Sequence, residues 1–371
     1  MKILIVGSGF SGAVLAEQLS RKTGFSIDVI DERSHIGGNC FTERDAETGV
    51  VEHKYGPHIF NTDSLAVWDY INQFCNMIPY VNRVKTIYDG KVYSLPVNLH
   101  TINQFYGKTL NPKEAKEFVS ALGDSSIKEP ENFEEQALKF LGEDLYNAFF
   151  YGYTKKQWGC EPKQLPAAIL KRLPIRFNYD DNYYSNPYQG IPENGYTAIF
   201  EKMLDHPRIF LKLNTKYDSR FDTTNYDHVF YTGPIDGYFD YQHGRLGYRT
   251  VTFEKHYDNG DFQGNAVINY ANSNVPYTRI HEHKHFTPWE DHEKTIYFKE
   301  FSKETDIEDI PYYPKRLTDD LSKLSLYQKD AKKLNNVTFL GRLATYRYMD
   351  MHNVIKEALN ISNSHIKSKS K

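Results

Sequence analysis

Apolar runs and turn-forming segments alternate over the N-terminal part of the chain. An apolar run at residues 3–6 passes directly into Gly7-Ser8-Gly9-Phe10-Ser11-Gly12, and an apolar stretch begins at Ala13. This order predicts a strand, a tight turn and a helix. A second strand is predicted at Asp28-Val29-Ile30, and it ends at Asp31. Together these elements predict the first unit of a nucleotide-binding fold.

The glycines of this turn are spaced as a bound dinucleotide requires. Gly7 allows the tight turn, Gly9 lets the backbone approach a pyrophosphate, and Gly12 lets the helix pack closely against the strand. The first amides of the helix then face the phosphates. Asp31 follows the glycines by about twenty residues, where a carboxylate accepts a hydrogen bond from a ribose hydroxyl. The sequence therefore predicts a bound dinucleotide, and the alternative is a surface turn without a ligand.

The residues after Asp31 distinguish FAD from NAD. The segment Glu32-Arg33-Ser34-His35-Ile36-Gly37-Gly38-Asn39 resembles the FAD-binding half of the flavoproteins related to glutathione reductase and the amine oxidases. That resemblance implies an extended, buried FAD lined by an acidic residue, a basic residue and a Gly-Gly pair. NAD, or a Gly-Gly turn without a ligand, is the alternative.

Further along the chain, the apolar spacing switches several times between helical and strand periods. Asp89-Gly90 is a two-residue turn signal, and it predicts a hairpin between strands at 84–88 and 91–95. The other predicted strands are at 209–213, at 229–234, several between 248 and 301, and at 337–342. The predicted helices are at 64–76, much of 112–156, 196–205, 318–334 and 352–360, followed by a disordered tail at 364–371.

This order predicts an α/β protein in which a discontinuous Rossmann-type FAD-binding domain carries a helical insertion and an antiparallel β-sheet domain. The predicted FAD-binding domain combines residues 1–76, 196–245 and 330–371. The helical domain covers 100–165, and a mobile substrate loop follows at 166–182. The antiparallel sheet domain combines 77–99, 183–195 and 246–329.

Composition narrows the class of protein. The chain has 371 residues and a net charge of −3, so its charge does not favour nucleic acid or an anionic membrane. No apolar run approaches the roughly 20 residues that span a bilayer. The cysteines (Cys40, Cys75 and Cys160) are few and widely spaced, which fits a reducing cytoplasm and provides no disulfide or metal framework. The 29 tyrosines are unusually many, and aromatic rings with a hydroxyl suit stacking on a flavin, nucleobase or sugar.

Seven further segments together resemble one family, the bacterial UDP-galactopyranose mutases, in unbroken order over residues 2–360. They are Tyr55-Gly56-Pro57-His58-Ile59-Phe60, Gly152-Tyr153-Thr154-Lys155-Lys156-Gln157-Trp158-Gly159, Leu170-Lys171-Arg172-Leu173-Pro174-Ile175-Arg176-Phe177, Gln263-Gly264-Asn265-Ala266-Val267-Ile268-Asn269-Tyr270, Val275-Pro276-Tyr277-Thr278-Arg279-Ile280, Pro311-Tyr312-Tyr313-Pro314, and Gly341-Arg342-Leu343-Ala344-Thr345-Tyr346-Arg347-Tyr348-Met349-Asp350-Met351.

The resemblance implies an isomerase that interconverts the pyranose and furanose forms of a nucleoside diphosphate sugar. It implies reduced FAD as the covalent nucleophile, without net redox change, and a homodimer in the cytoplasm. The chain then needs no nucleophile of its own, and its sequence contains no Cys–His or Ser–His–Asp pattern that would suggest one.

The resemblance also assigns roles to single residues. Arg172 and Arg279 match the two arginines that hold the pyrophosphate, for which a planar guanidinium is suited. The other substrate residues are Tyr183, Tyr313 and Tyr348 as hydroxyl donors, Phe149 and Tyr153 as the uracil platform, and Asn82, Thr154, Trp158 and Asn269 as sugar and loop contacts. The cofactor residues are Gly7, Gly9, Phe10, Ser11, Gly12, Asp31, Arg33, Gly38, Asn39, His58, Ile59, Arg249, Arg342, Asp350 and Met351.

Two positions depart from the family pattern. Asn61 stands where the family usually has histidine near the sugar and flavin, and Met349 stands where a tyrosine commonly precedes the aspartate. Asparagine is shorter and has no titratable proton, so Asn61 bears on the choice of sugar. Two substrates therefore remain open: UDP-galactopyranose, and dTDP-fucopyranose, which lacks the 6-hydroxyl. Either product would supply furanose units for a surface polysaccharide.

Three other interpretations account for less of the sequence. An amine-oxidase-type flavin oxidoreductase would share the N-terminal motifs but would not explain Arg172, Arg279 and the loop containing Trp158. A non-catalytic FAD-binding scaffold would not need the two arginines. The alternating histidines of His281-Glu282-His283-Lys284-His285 would lie on one face of a strand and could bind a metal. The family resemblance implies a sheet without a metal there, and we expect none.

Overall fold

The computed structural model describes residues 1–167 and 175–369. A five-stranded parallel sheet contains the N-terminal strand. In spatial order its strands are Ile209–Lys212, Ser26–Ile30, Lys2–Val6, His228–Tyr231 and Val337–Phe339. These strands come from three separate parts of the chain, as the predicted discontinuous domain requires.

The helix Phe10–Lys22 is the centre of the largest core. It is buried from Phe10 through Ser20, and it packs against the helices Thr197–Leu204 and Met351–Lys369. The last helix is longer than the predicted 352–360, and it includes most of the tail that we expected to be disordered. Ile355, Ala358 and Ser362 are buried on it, so packing against the core extends the helix into a polar sequence.

A seven-stranded sheet is the second large sheet of the fold. In spatial order its strands are Tyr313–Pro314, Tyr248–Asn259, Lys294–Glu304, Arg279–Glu282, Val267–Tyr270, Val84–Tyr88 and Lys91–Leu95. The predicted hairpin is present, with positive φ at both Asp89 and Gly90 as a tight two-residue turn requires. The sheet is antiparallel except where Val267–Tyr270 pairs in parallel with Val84–Tyr88. These two strands come from distant parts of the chain, so no hairpin sets their relative direction.

The helical insertion consists of Leu99–Tyr106, Pro112–Leu122, Phe133–Tyr146, a π-helical segment Asn147–Tyr151 and Gly152–Trp158. Its core is separate from that of the parallel sheet and includes Phe133, Leu145 and Phe149. A kink at Gly142, where φ is +76°, divides the longest helix. The predicted helical region at 112–156 is therefore present as several helices that pack on each other.

Short elements connect these units. Phe60–Thr62, Tyr188–Pro192 and Met77–Pro79 form a three-stranded sheet, and Thr42–Arg44 pairs with Val51–His53. The remaining helices are Leu65–Ile71, Ile235–Tyr238, Thr318–Ala331 and Gly341–Ala344, with 3₁₀ turns at Gly38–Cys40, Pro162–Gln164 and His283–Phe286. Within the described ranges, no helix has the length and apolarity needed to cross a membrane.

Candidate active site

The glycine turn lies at the carboxyl end of the central strand of the parallel sheet. Gly7 has φ of +102°, and a Cβ atom on Gly12 would lie 1.9 Å from the carbonyl oxygen of Gly7. Both positions therefore require glycine. The following helix begins after Gly9 without a side-chain cap, so its first amides keep their hydrogen-bonding capacity for an anion.

Asp31 is held in place beside this turn. Its Oδ2 accepts hydrogen bonds from the amide and the hydroxyl of Ser8, at 2.8 and 2.7 Å, and its Oδ1 accepts one from the Arg33 amide. These bonds place the carboxylate at the strand end where a ribose is expected.

Arg33 supports the assignment of a large anionic cofactor. Its Nη2 donates to Asn39 at 2.8 Å, and its guanidinium lies over the Tyr55 ring. Its Nη1 is buried and has no hydrogen-bond partner among the described residues, which is costly unless a ligand accepts a hydrogen bond from it. A Cβ atom on Gly9 would lie 3.8 Å from the Cα atom of Gly38, so the glycine turn and the Gly-Gly segment are near neighbours. These residues fit FAD.

Two neighbouring clefts divide the predicted residues by role. The first cleft, of about 320 Å³, is lined by Asn39, Tyr55, Gly56, Pro57, His58, Arg279, Glu300, Tyr312, Tyr313 and Arg342. The second cleft, of about 350 Å³, is lined by Pro57, Ile59, Asn82, Val84, Tyr183, Tyr184, Val267, Asn269 and Arg279. Among the predicted residues, the first cleft contains three assigned to the flavin and two assigned to the substrate, and the second contains one assigned to the flavin and four assigned to the substrate; Arg279 lines both.

Arg279 is a fixed cation at this shared wall. Its Nε and Nη2 both lie 2.9 Å from Oε2 of Glu300 on the neighbouring strand. Glu300 is 1% exposed, and it also accepts a hydrogen bond from Thr278 Oγ1 at 3.0 Å. Burial by itself would lower the pKa of Arg279 and raise the pKa of Glu300. The attraction between the two charges outweighs burial, so the pKa of Arg279 is raised and the pKa of Glu300 is lowered to about 2. Both groups therefore stay charged near neutral pH.

Tyrosine hydroxyls surround this cation. Tyr313 stacks on Tyr348 with ring centroids 5.9 Å apart, and Tyr183 meets Tyr184 edge to face. Burial raises the pKa of Tyr153 and of Tyr183, and it raises the pKa of Tyr313 to about 12. The hydroxyls thus remain protonated and can donate hydrogen bonds to an anion.

The histidine of the first cleft is held neutral. Burial lowers the pKa of His58 to about 4, and its Nδ1 lies 2.8 Å from the carbonyl oxygen of Gly56. A carbonyl oxygen only accepts, so Nδ1 carries the proton and Nε2 is an acceptor.

The predicted uracil platform lies on the helical insertion. Phe149 is 5% exposed, and its ring packs with Tyr88, Tyr93 and Phe105. Thr154 is also buried, whereas Tyr153 and Trp158 are partly exposed. Tyr153, rather than Phe149, therefore has surface available for a ligand.

Several other predicted residues lie away from the two clefts. Arg249 is 3% exposed, and its guanidinium donates to the carbonyls of Gln157 and Lys156 and pairs with Glu304. Those carbonyls belong to the last turn of Gly152–Trp158, so Arg249 caps that helix. Asp350 accepts backbone hydrogen bonds at the start of the last helix, where Met351 also lies. Arg172, with the part of the predicted substrate loop at 168–174, lies outside the described residues.

Asn61 lies on the strand Phe60–Thr62. Its Oδ1 accepts a hydrogen bond from Asn186 Nδ2 at 2.7 Å, and its Nδ2 lies 3.5 Å from the Ile59 carbonyl. Ile59 lines the second cleft, so Asn61 is near its edge.

The histidine segment does not form the predicted strand face. The strand ends at Glu282 and a 3₁₀ turn follows, so His283 and His285 leave the strand. Asp261, Glu282 and His285 place ligand atoms within 4.8 Å of one another. However, Lys284 Nζ lies 2.6 Å from Asp261, and the Glu282 carboxylate accepts hydrogen bonds from the amides of residues 262–264. These contacts fasten the loop to the strand.

Sequence reasoning missed Glu300 and Lys156. Glu300 follows Ile296 and Phe298 at a spacing of two on the same buried strand face, and an acid in such an apolar series was a signal that could have identified it. Lys156 gave no such signal, since a lysine on a helix is ordinarily a solvated residue.

The fold and the glycine turn define a protein with a Rossmann-type dinucleotide-binding domain, and two adjoining clefts share the cation of Arg279. Residues 148–348 match the family model of UDP-galactopyranose mutase, and residues 5–74 match an NAD(P)-binding Rossmann-like domain. The chain is 54% identical to a "Probable UDP-galactopyranose mutase" of Klebsiella pneumoniae, covering 99% of this chain and 95% of the relative. It is 52% identical to a dTDP-fucopyranose mutase of Escherichia coli, covering 99% of each. The chain belongs to the UDP-galactopyranose mutase family, and it is an FAD-dependent isomerase.

Solved structures share the fold. A crystal structure of a reduced UDP-galactopyranose mutase superposes with a TM-score of 0.77 at 16% identity, covering 99% of this chain and 95% of the other. A redesigned putrescine oxidase superposes with a TM-score of 0.62 at 13% identity, covering 99% of each. These structures confirm the α/β fold, and the family model and the sequence relatives confirm the family. The putrescine oxidase shares the fold with this chain, but the family model that matches the chain is that of UDP-galactopyranose mutase, not of an amine oxidase.

Proposed function

We propose that this protein converts UDP-galactopyranose into UDP-galactofuranose at the two adjoining clefts. The observation that carries the proposal is the Arg279–Glu300 ion pair at the wall between them. A pyranose–furanose mutase must hold a nucleoside diphosphate next to its cofactor while the diphosphate leaves and returns. A fixed cation between a flavin cleft and a substrate cleft is suited to that task.

Arg279 stabilises the negative charge that develops on the departing diphosphate. Because Glu300 already orients the guanidinium, little reorganisation is needed as the charge forms. Each charge-assisted hydrogen bond contributes about 1.5–3 kcal/mol. The protonated hydroxyls of Tyr153, Tyr183 and Tyr313 add donors around the same anion. Arg172 is proposed as the second pyrophosphate arginine, on the strength of its motif.

The proposed cofactor residues lie at the glycine turn and in the first cleft. The glycine turn with Asp31 and Arg33 would hold the pyrophosphate and adenosine side of FAD. Asn39, His58 and Arg342 would hold the part of the cofactor that lies in the first cleft. When bound and reduced, FAD supplies the nucleophile for the anomeric carbon of the sugar. The neutral His58 adds no charge beside Arg279, so the cation remains available to the phosphates.

The alternative candidate substrate is dTDP-fucopyranose, and the residue that favours this alternative is Asn61. The two relatives differ in named substrate but are nearly equally identical to this chain. The Asn61 amide oxygen is already engaged by Asn186, which reduces its capacity to bind a sugar hydroxyl. Fucose lacks the 6-hydroxyl of galactose, which would need such a hydrogen-bond partner. A site discriminates strongly against a substrate when binding leaves a polar group without a partner.

One experiment separates the candidates. The dithionite-reduced protein is incubated with UDP-galactopyranose and, separately, with dTDP-fucopyranose, and furanose product is resolved by HPLC. Galactofuranose formation supports the first proposal, and fucofuranose formation alone supports the second. The oxidised enzyme should be silent and should consume no oxygen stoichiometrically. Absence of both products from fully reduced holoenzyme would refute the proposed function.

A scaffold without catalysis is tested by two variants. Arg172→Ala and Arg279→Ala should retain FAD, as judged by the flavin spectrum, and lose turnover. Turnover that survives in both variants would contradict the role given to the arginines.

We also propose that the protein acts in the cytoplasm as a homodimer and supplies furanose units to a surface polysaccharide. The free thiols of Cys40, Cys75 and Cys160 support a reducing compartment. The dimer rests on the family resemblance alone. Sedimentation analysis of the holoenzyme tests it, and a monomer at micromolar concentration would contradict it.

A further inference from the structure

Lys156 makes a set of contacts that the proposed chemistry does not explain. Its Nζ lies within hydrogen-bond distance of four backbone carbonyl oxygens, those of Tyr270 at 2.6 Å, Asn272 at 2.9 Å, Val275 at 3.0 Å and Tyr277 at 3.0 Å, which share its three N–H donors. All four carbonyls belong to residues 270–277, which we call the carbonyl loop. This loop connects the strands Val267–Tyr270 and Arg279–Glu282.

The charge of Lys156 is satisfied by carbonyl dipoles. Over the described parts of the chain, no carboxylate forms a salt bridge with it, although its neighbour Lys155 pairs with Glu161. Burial lowers the pKa of Lys156 to about 8, so the ammonium keeps its proton at pH 7. Backbone carbonyls that converge on a compact cation are the arrangement that proteins use to bind K⁺.

The helix that carries Lys156 also contacts this loop through its backbone. A Cβ atom on Gly152 would lie 2.3 Å from the Ala271 carbonyl oxygen, so the first turn of Gly152–Trp158 lies directly against the loop. Glycine at 152 and lysine at 156 are one helical turn apart and therefore face the same way. Two independent features thus join this helix to the carbonyl loop.

Both partners carry residues of the proposed substrate site. The helix carries Tyr153, and the strands that flank the loop carry Asn269 and Arg279, which line the second cleft. The distance between the nucleotide side of the site and its fixed cation therefore depends on how the loop is held against the helix.

We propose that Lys156 is a positioning residue whose ammonium acts as a tethered monovalent cation, fixing the carbonyl loop so that Arg279 and Asn269 face Tyr153 across the substrate cleft. This inference rests on the proposed substrate site. It assigns Lys156 no contact with the sugar or the flavin.

The test compares Lys156→Met with Lys155→Met. Methionine approximates the length and apolar stem of lysine and removes the charge, while Lys155 lies on the same helix with an exposed side chain. We expect Lys156→Met to retain FAD, to weaken UDP and dTDP binding in calorimetry by about tenfold or more, and to raise KM more than it lowers kcat. Lys155→Met should match the parent protein. Equal behaviour of the two variants would overturn the proposal.

Chemical rescue separates a positioning cation from simple packing. In Lys156→Ala, added NH₄⁺ or K⁺ should restore nucleotide affinity with saturation, whereas neither ion should change Lys155→Ala beyond ordinary ionic-strength effects. A cation-independent loss of affinity would overturn the cation role. If Lys156→Ala folds only with NH₄⁺ present, that dependence supports the proposal. If it folds under neither condition, the Lys156→Met binding data decide.

The readout also separates this inference from the proposed function. UDP and dTDP binding is measured without turnover. A parent protein that binds neither nucleotide and makes no furanose refutes the proposed function. A parent that is active while Lys156→Met binds nucleotide normally refutes only the role of Lys156.

Discussion

One oxygen of Glu300 holds one edge of the Arg279 guanidinium, with Oε2 lying 2.9 Å from both Nε and Nη2. Both residues line the first cleft, and Arg279 extends to the second. The carboxylate is 1% exposed, so water does not compete for it. The direction in which Arg279 presents its remaining donors is therefore set by a partner on another strand.

Replacing Glu300 by glutamine should weaken catalysis without loss of FAD. Glutamine preserves the shape but removes the charge that orients Arg279. Since charge-assisted hydrogen bonds contribute about 1.5–3 kcal/mol, we expect kcat/KM to fall about 10- to 100-fold. Steady-state kinetics of reduced Glu300→Gln measures this. Glu254→Gln, on the adjacent strand Tyr248–Asn259 with an exposed side chain, is the control and should change little.

The same ion pair should give a characteristic pH dependence of stability. The pKa of Glu300 is about 2 in the folded protein against an ordinary value of 4.5, so its carboxylate stabilises the fold above pH 4.5. That contribution is lost progressively as pH falls from 4.5 toward 2. Urea unfolding of the parent and of Glu300→Gln should show a stability difference that shrinks as the pH falls from about 5 toward 2. Above pH 5 His281, which lies 3.3 Å from Glu300 and whose pKa is lowered by burial, contributes to the difference as well. A difference that grows below pH 5 would contradict this sign.

Asn61→His should shift sugar preference toward UDP-galactopyranose. Histidine is longer, and it would disrupt the Asn61–Asn186 hydrogen bond and restore a titratable group near the second cleft. The measurement is the ratio of kcat/KM for UDP-galactopyranose and dTDP-fucopyranose. Asn76→His, at a surface asparagine bonded to Glu193, is the control. Unchanged kinetics for both sugars in Asn61→His would end the idea that this position selects the sugar.

Arg33→Met should weaken FAD binding. The buried Nη1 of Arg33 lacks a partner among the residues described, and we expect the cofactor to accept its hydrogen bond. Loss of this contact should raise the Kd for FAD about tenfold, the equivalent of about 1.4 kcal/mol. Titration of apoprotein with FAD, followed by flavin fluorescence, measures the change. Arg44→Met, which removes an exposed ion pair with Glu290, should leave the Kd unaltered.

Local sequence patterns correctly predicted the elements whose geometry depends on residues adjacent in sequence. The strand and helix around Gly7 and Gly9 and the Asp89-Gly90 hairpin agree with the prediction, because turn chemistry and apolar period are short-range properties. The parallel pairing of Val267–Tyr270 with Val84–Tyr88 was missed, because strands distant in sequence carry no local signal of relative direction. The length of the last helix was missed for a similar reason, since packing stabilises it.

The sequence by itself determined that a dinucleotide turn begins the chain and that the motifs belong to one family, since both depend on residue type and spacing. Only the tertiary structure decided that Glu300 braces Arg279, that Arg249 caps a helix, and that Lys156 holds the carbonyl loop. These contacts join residues from separate elements, and their strength depends on burial and on distances of about 3 Å. Both exist only once the sheets and the helical insertion have packed together.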